Sequence, residues 1–324
     1  MGIVVGHVAQ GLGFLLVGLW HLFNHAKLHA QRPNSFNSSP WFPSPFFARH
    51  LELYLIMAAT STFISTELFL GQTSHQPLDP DGTIPYNHLH NFEHSTISFS
   101  FFAYAALAVV FDRVLRPPAR EALTQSLAAL AFAQELLLFH LHSTDHVGVE
   151  GRYHALLQLV VFVSVVTTLM GIRYPGSFLT GFVRSVSVAF QGVWLVVLGV
   201  MIWTPSLVPK GCALYREEGR LVTRCDSQGA LDRAKSLANL QFCWVSWGMA
   251  ILAVVFYLVV VKLYGGGGGG GEAANRRYEA ANEEDDDDVE EYYWMKTRNE
   301  LETKRFLQMG IMSSTVSVSK DLER

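Results

Sequence analysis

The chain has 324 residues, of which 50% are hydrophobic and only 16% charged, with a mean hydropathy of +0.22. The apolar residues come in blocks of about twenty, each long enough to cross a hydrocarbon core about 30 Å thick. That excludes an ordinary soluble enzyme, a nucleic-acid binder and a disulfide-rich secreted domain. The net charge of −4 is unevenly spread, with 14 acidic against 8 basic residues from Gly265 onward, which leaves about +2 on Met1–Tyr264.

Seven helices are expected in chain order: Ile3–Phe23, Leu51–Leu70, Phe92–Phe111, Glu121–His142, Tyr153–Ile172, Phe178–Trp203 and Leu237–Leu263. In lipid every backbone amide must be paired within its own segment, so apolar runs of this length are helices. The expected fold class is an all-α integral membrane bundle. The first segment does not read as a signal peptide, for it lacks a basic leader and is too long. Gly6, Gly11, Gly13 and Gly18 on the first helix permit close packing against a neighbour.

Seven crossings put the termini on opposite sides, called here A (N-terminal) and B. Lys27, Arg32, Arg49, Arg113, Arg116, Arg120 and Arg173 fall in side-B loops. The positive-inside bias therefore makes side B cytoplasmic, with the N-terminus lumenal or outside. The basic side-A loop Thr204–Ser236 runs against that bias. It holds Cys212 and Cys225, which on a lumenal side either pair or remain free thiols. Asn37-Ser38-Ser39 falls on side B and should carry no glycan.

Residues 265–324 form a second region. Gly265–Gly271 is a flexible linker, and the acidic run Glu283–Glu291 marks a mostly disordered cytoplasmic tail able to recruit protein partners. Val289–Met309 could form a short charged helix.

Ionisable residues inside membrane helices are costly and point to function. All 13 histidines lie between His7 and His154. Helix direction puts nine on or near side A, with Glu67, Glu93, Glu135, Asp145 and Glu150 at the same level. His90 and His94 share a face at i,i+4, Glu135 and His142 share one, and His142 and His146 repeat the four-residue spacing. His154 opens the fifth helix. Imidazoles with carboxylates suit a transition metal such as zinc or iron. The candidate ligands are His90, His94, His142, His146 and His154, with Glu67, Glu93 and Glu135 behind them as hydrogen-bonding partners. The same residues also fit a hydrogen-bonded polar network, or a proton relay. No H-E-x-x-H occurs.

Near side B, His21, His25 and His29 form an i,i+4 ladder expected to meet His50, either as a second metal or haem position or as an interfacial anchor. Arg184 is one turn in from side B and is expected to snorkel to the interface. Gln191 is mid-membrane and needs a partner on another helix.

At these residues the chain resembles the transmembrane protein 45 family of multi-pass membrane proteins. The matching stretches are Gly6-His7, Gly13-Phe14, Gly18-Leu19-Trp20, Glu93-His94-Ser95-Thr96 and Glu135 through Phe139-His140-Leu141-His142. Arg184-Ser185, Gln191-Gly192-Val193-Trp194 and Phe242-Cys243-Trp244 complete them. The resemblance runs over roughly Met1–Tyr264 and departs from the animal pattern at Asp145–Glu150. It implies a seven-helix endomembrane protein without a settled activity, some plant members being linked to virus response.

Three functions compete. One is a membrane protein with a side-A metal site, acting if catalytic through metal-activated water or oxygen on a lipid-borne substrate. The second is a proton-coupled carrier using the same residues as a relay, which wants an aqueous path and a broken helix. The third is a structural or trafficking protein whose tail binds partners.

Overall fold

The computed structural model describes residues 3–44, 49–70, 77–141, 148–217 and 220–265. His75, His142, Asp145, His146, and the linker and tail from residue 266 onward lie outside the described residues. The seven helices are α1 Ile3–Gln31, α2 Leu51–Ser65, α3 Leu89–Val114, α4 Ala119–Leu141, α5 Gly148–Arg173, α6 Phe178–Trp203 and α7 Gln228–Tyr264. A π-helical turn, Thr66–Leu70, carries α2 on to side A. All seven are long and apolar enough to span a bilayer. The fold is thus the all-α multi-pass bundle that hydropathy dictates.

Local chemistry sets the ends. The α1 helix continues past Phe23 until Arg32, which is pushed out of the helical region because Pro33 follows it. The α3 helix stops at Val114, where Leu115 is extended before Pro117-Pro118. Ser177 caps α6 by accepting from the Thr180 amide at 3.3 Å, and Ser227 caps α7 by accepting from the Ala230 amide at 3.2 Å. The cap at Ser227 starts α7 at Gln228 rather than Leu237. The helix is then about 55 Å long, and its first turns stand clear of a hydrocarbon core on side A.

From α2 to α6 each helix packs on the next, while α1 closes mainly on α6 and α7 lies outside against α1, α5 and α6. Glycine makes the α1–α6 contact possible. A Cβ on Gly18 would stand 2.3 Å from the Ala189 amide nitrogen, one on Gly11 2.6 Å from the Gly192 carbonyl, and one on Gly192 2.3 Å from the Leu15 amide nitrogen. Gly6 and Gly13 face open space instead. The buried core centres on Leu157, Val161, Trp194, Leu195, Leu198 and Ile202. Leu16, Leu55, Leu130, Trp247 and Leu252 are exposed around the outside, as lipid-facing positions should be.

The loop between α6 and α7 holds a feature that periodicity did not announce. Strands β1 (Cys212–Glu217) and β2 (Arg220–Cys225) form an antiparallel hairpin whose first register pair is Cys212 and Cys225. Those two cysteines are joined as a disulfide. The hairpin sits on the side-A end of α6, where Thr223 Oγ1 donates to the Ile202 carbonyl at 2.8 Å and Trp203 Nε1 to the Leu221 carbonyl at 3.1 Å. On its exposed face the hydrogen bond from Arg224 holds the Glu217 carboxyl below the usual carboxylate range.

Candidate functional site

Three helices bring imidazoles together at the side-A end. His7 of α1 is pressed against α6, since a Cβ on Gly199 would stand 2.8 Å from the His7 Cβ. Its ring centroid is 4.7 Å from that of Trp203, 6.2 Å from His154 of α5 and 6.5 Å from His94 of α3. His90 follows one turn from His94, at 5.8 Å between rings. His154 is buried, and its Nδ1 lies 3.1 Å from the Glu150 carbonyl. A carbonyl only accepts, so Nδ1 carries the hydrogen and Nε2 is the basic nitrogen of the neutral ring.

Deeper by about 9 Å from Leu141, Glu135 of α4 is 1% exposed. Its Oε1 accepts from Gln191 Nε2 of α6 at 2.5 Å. This is the helix-to-helix partner that Gln191 was expected to need. Glu135 Oε2 and Gln191 Oε1 are also buried, and neither has a hydrogen-bond partner among the described residues. Further toward side B the interior turns aromatic, with Phe14 and Phe101 rings 5.5 Å apart and Phe101 and Phe132 rings 5.3 Å apart.

The other side-A candidates divide. Glu67, on the π-helical turn, accepts from Asn91 Nδ2 at 2.6 Å and so ties α2 to α3. Glu93 is half-buried on α3. His140 Nδ1 lies 3.3 Å from Gln158 Oε1, and Gln158 Nε2 donates to the Phe139 carbonyl at 3.0 Å, which ties α4 to α5. His142 and His146 fall outside the described residues. Among the described residues no group of three or more His, Cys, Asp or Glu side chains is placed to hold a metal ion. The geometry therefore does not support the expected ligand set; His7, outside that set, is the imidazole that meets both His94 and His154.

Side B holds a polar network that sequence reasoning largely missed. Glu52, at the first turn of α2, takes three donors: Trp20 Nε1 at 3.0 Å, the Phe42 amide at 2.8 Å and His21 Nε2 at 2.7 Å. Arg184 does not snorkel. It is 5% exposed and turns inward, where its Nη2 donates to the Ser39 carbonyl at 2.7 Å and Ser38 Oγ at 3.0 Å. His25 Nδ1 lies 2.9 Å from Ser185 Oγ. These contacts hold the chain between α1 and α2 against the bundle, with Phe36, Ser38, Trp41 and Phe42 buried.

The histidine ladder does not meet His50. His21 goes to Glu52, His25 to Ser185 and Ser38, and His29 to Tyr257 Oη at 2.9 Å. His50 Nε2 instead donates to Asp112 Oδ2 at 2.8 Å. Asp112 also receives Arg49 at 2.9 and 3.0 Å and Arg120 at 3.0 Å. That hydrogen bond and the Asp112 charge push the Arg49 guanidinium above its ordinary range. The ladder's rings are spread over separate partners, and among the described residues no group there is placed to hold a metal ion. The signal available in the sequence was direction: Arg184, Glu52 and Asp112 all lie at side-B helix ends, and charges at one end of a bundle seek one another.

A family model described as "Family of unknown function (DUF716)" matches residues 121–258. The match runs from the first turns of α4 into α7. It includes Glu135, His154, Arg184, Gln191, Trp203 and the disulfide hairpin, so both centres take residues from the matched stretch.

Proposed function

We propose that the chain is a multi-pass membrane protein of the transmembrane protein 45 type whose side-A interior takes up and passes protons. The observation that carries the reading is His7, whose ring stands 6.2 Å from His154 and 6.5 Å from His94, above a buried carboxylate. Imidazole titrates nearest neutral pH and can pass a proton from one ring nitrogen to the other. The stretches quoted for the family resemblance include Glu135, Arg184-Ser185, Gln191–Trp194 and Phe242–Trp244, all inside the matched region.

In this reading the N-terminus is lumenal or outside, the C-terminus is cytoplasmic, and the membrane is an endomembrane. Basic residues in the side-B loops favour that orientation. The side-A disulfide favours it independently, because disulfides persist in oxidising compartments. The tail from residue 266 onward is assigned to protein partners on the strength of its acidic composition.

A second reading keeps the zinc or iron site expected from the histidine spacing, although no three such side chains are placed to hold an ion among the described residues. It extends the ligand candidates His90, His94, His142, His146 and His154 to include His7, with Glu67, Glu93 and Glu135 in support. One preparation tests both readings. Metal content by mass spectrometry is measured on protein never exposed to chelator, and proton uptake after a pH jump is followed with an indicator dye. The relay reading expects uptake slowed on the order of tenfold or more in His7→Ala/His94→Ala, without stoichiometric metal. Stoichiometric metal that disappears in that variant establishes the second reading. Unaltered uptake with no metal removes both and leaves the structural role.

A further inference from the structure

Glu135 Oε1 and Gln191 Nε2 make one good hydrogen bond, yet their other two oxygens are both acceptors, both buried and both without a donor among the described residues. A carboxylate at this position would leave two lone-pair oxygens facing an apolar interior, where an unpaired ion is strongly disfavoured. One added proton removes both deficits. On Oε2 it turns the carboxyl into a donor and supplies the hydrogen that Gln191 Oε1 lacks. The amide N–H then donates to Oε1 while the acid O–H donates back to the amide oxygen, closing a ring of two hydrogen bonds.

We propose that Glu135 and Gln191 form a proton-binding pair within the membrane, occupied as a cyclic acid–amide pair that ties α4 to α6 and loaded from side A. This rests on the relay reading and names its substrate, a single proton, and the atoms that hold it. Loading forms the Oε2–H bond at the expense of an N–H bond of a side-A imidazolium or an O–H bond of a hydronium. Release reverses both.

The helices packed on α4 and α6 set the direction of traffic. In the side-A half their titratable side chains are His7 on α1, His90, Glu93 and His94 on α3, and Glu150, Tyr153 and His154 on α5, while Arg184 of α6 is buried two turns from Gln191 toward side B. Arg152 of α5 turns away to Asn239 of α7 at 2.6 Å, and the charges at the start of α7, Asp232, Arg233 and Lys235, sit at its side-A end. Toward side B the rings of Phe14, Phe101 and Phe132 line the α1, α3 and α4 flank, while Ser187, one turn from Gln191 on α6, and Ser164 of α5 form a buried hydroxyl pair at 3.0 Å. The groups that titrate nearest neutral pH are the side-A imidazoles, which makes side A the side of loading and release. The paired state joins residues 56 apart in sequence. The unprotonated state sets carboxylate against amide oxygen and loosens that junction.

Infrared spectroscopy reads the acid directly. The full-length protein in lipid nanodiscs, with glutamate carrying carbon-13 in the side-chain carboxyl, should show at neutral pH an isotope-shifted C=O stretch of a protonated carboxylic acid. That band should be absent in Glu135→Gln. It should move to higher wavenumber in Gln191→Leu, where both hydrogen bonds are gone. The labelled parent needs no substitution, so a variant that fails to fold leaves the first result standing. No acid band in the parent overturns the proposal, as does a band that survives Glu135→Gln or ignores Gln191→Leu. A band abolished by sodium chloride but not by potassium chloride also overturns it, assigning the two oxygens to a sodium ion. The relay is judged separately: a band kept in His7→Phe with an unaltered rate of proton–deuteron exchange sinks the relay and leaves the pair.

Discussion

Arg184 Nη2 reaches from the second turn of α6 to the Ser39 carbonyl at 2.7 Å. A charged side chain on a helix thereby supplies the donor for irregular backbone between α1 and α2. Such backbone is tolerated next to lipid only where protein satisfies it. Replacing Arg184 with Leu removes this bond and the one to Ser38. At about 1.5–3 kcal/mol for a hydrogen bond to a charged group, the variant should melt well below the parent in detergent. Limited proteolysis should cut residues 32–44 in the variant and spare them in the parent. An unaltered melting temperature and cleavage pattern would show that the loop holds itself in place.

Glu52 is the counterpart in α2, with three donors on two oxygens. Glu52→Gln keeps the shape but puts an amide N–H where a donor already points, so at least one of Trp20, His21 and the Phe42 amide loses its acceptor. A cost of roughly 1–3 kcal/mol is expected. Tryptophan fluorescence should shift with it, since the Trp20 indole changes its partner. Equal stability and emission for Glu52→Gln would mean that the carboxylate charge and both its oxygens are dispensable.

The α1–α6 contact separates glycines that matter from those that do not. Gly18→Val drives a side chain into the Ala189 backbone and should destabilise by about 1–3 kcal/mol or more. Gly13→Ala meets open space and should be neutral or gain up to about 1 kcal/mol from helix propensity. Thermal melts of the two variants in one detergent decide the matter, and a Gly18 variant as stable as the Gly13 variant would refute the close approach.

The disulfide makes a simple chemical statement. In denaturant without reductant only the free Cys243 should react with maleimide; after reduction in denaturant all three cysteines should react. Cys212→Ser/Cys225→Ser should lose about 3 kcal/mol of chain-entropy stabilisation for a loop of this size. Because both cysteines stand on side A, the same labelling on sealed vesicles, with an impermeant reductant, reports which face of the membrane that side occupies. Three reactive thiols without reductant would remove the bridge.

The spans were legible because hydropathy over twenty residues is a strong signal, and Phe178–Trp203 emerges with the expected bounds. The ends of α1 and α7 were not. Asn24, His25, Lys27, Arg233 and Lys235 read as loop, yet they extend helices beyond the apolar zone, where propensity and caps decide rather than hydropathy. Gln191 announced that it needed a partner, and Glu135 was singled out independently; only packing could join them. The side-B network escaped because Glu52 and Asp112 sit near helix ends, where a charge is unremarkable until three donors converge on it. Helix direction puts His7 on side A, but a lone imidazole has no spacing that marks it as a ligand. The hairpin was hidden by its brevity, for six-residue strands among charged residues carry little alternation.

The largest helix-to-helix contact joins the first helix to the sixth. A chain made at about 5–20 residues per second completes α1 long before Trp203 emerges, an interval on the order of ten to thirty seconds. Through that interval the glycine face of α1 and the polar edge formed by Trp20, His21 and His25 have no α6 to meet. They must sit in lipid or against the insertion machinery, with α2 arriving first to offer Glu52. The burial of the N-terminal helix thus comes late in assembly rather than at its start. A defect in α6 would be felt as an orphaned α1, open to quality control on a segment that is itself correctly made.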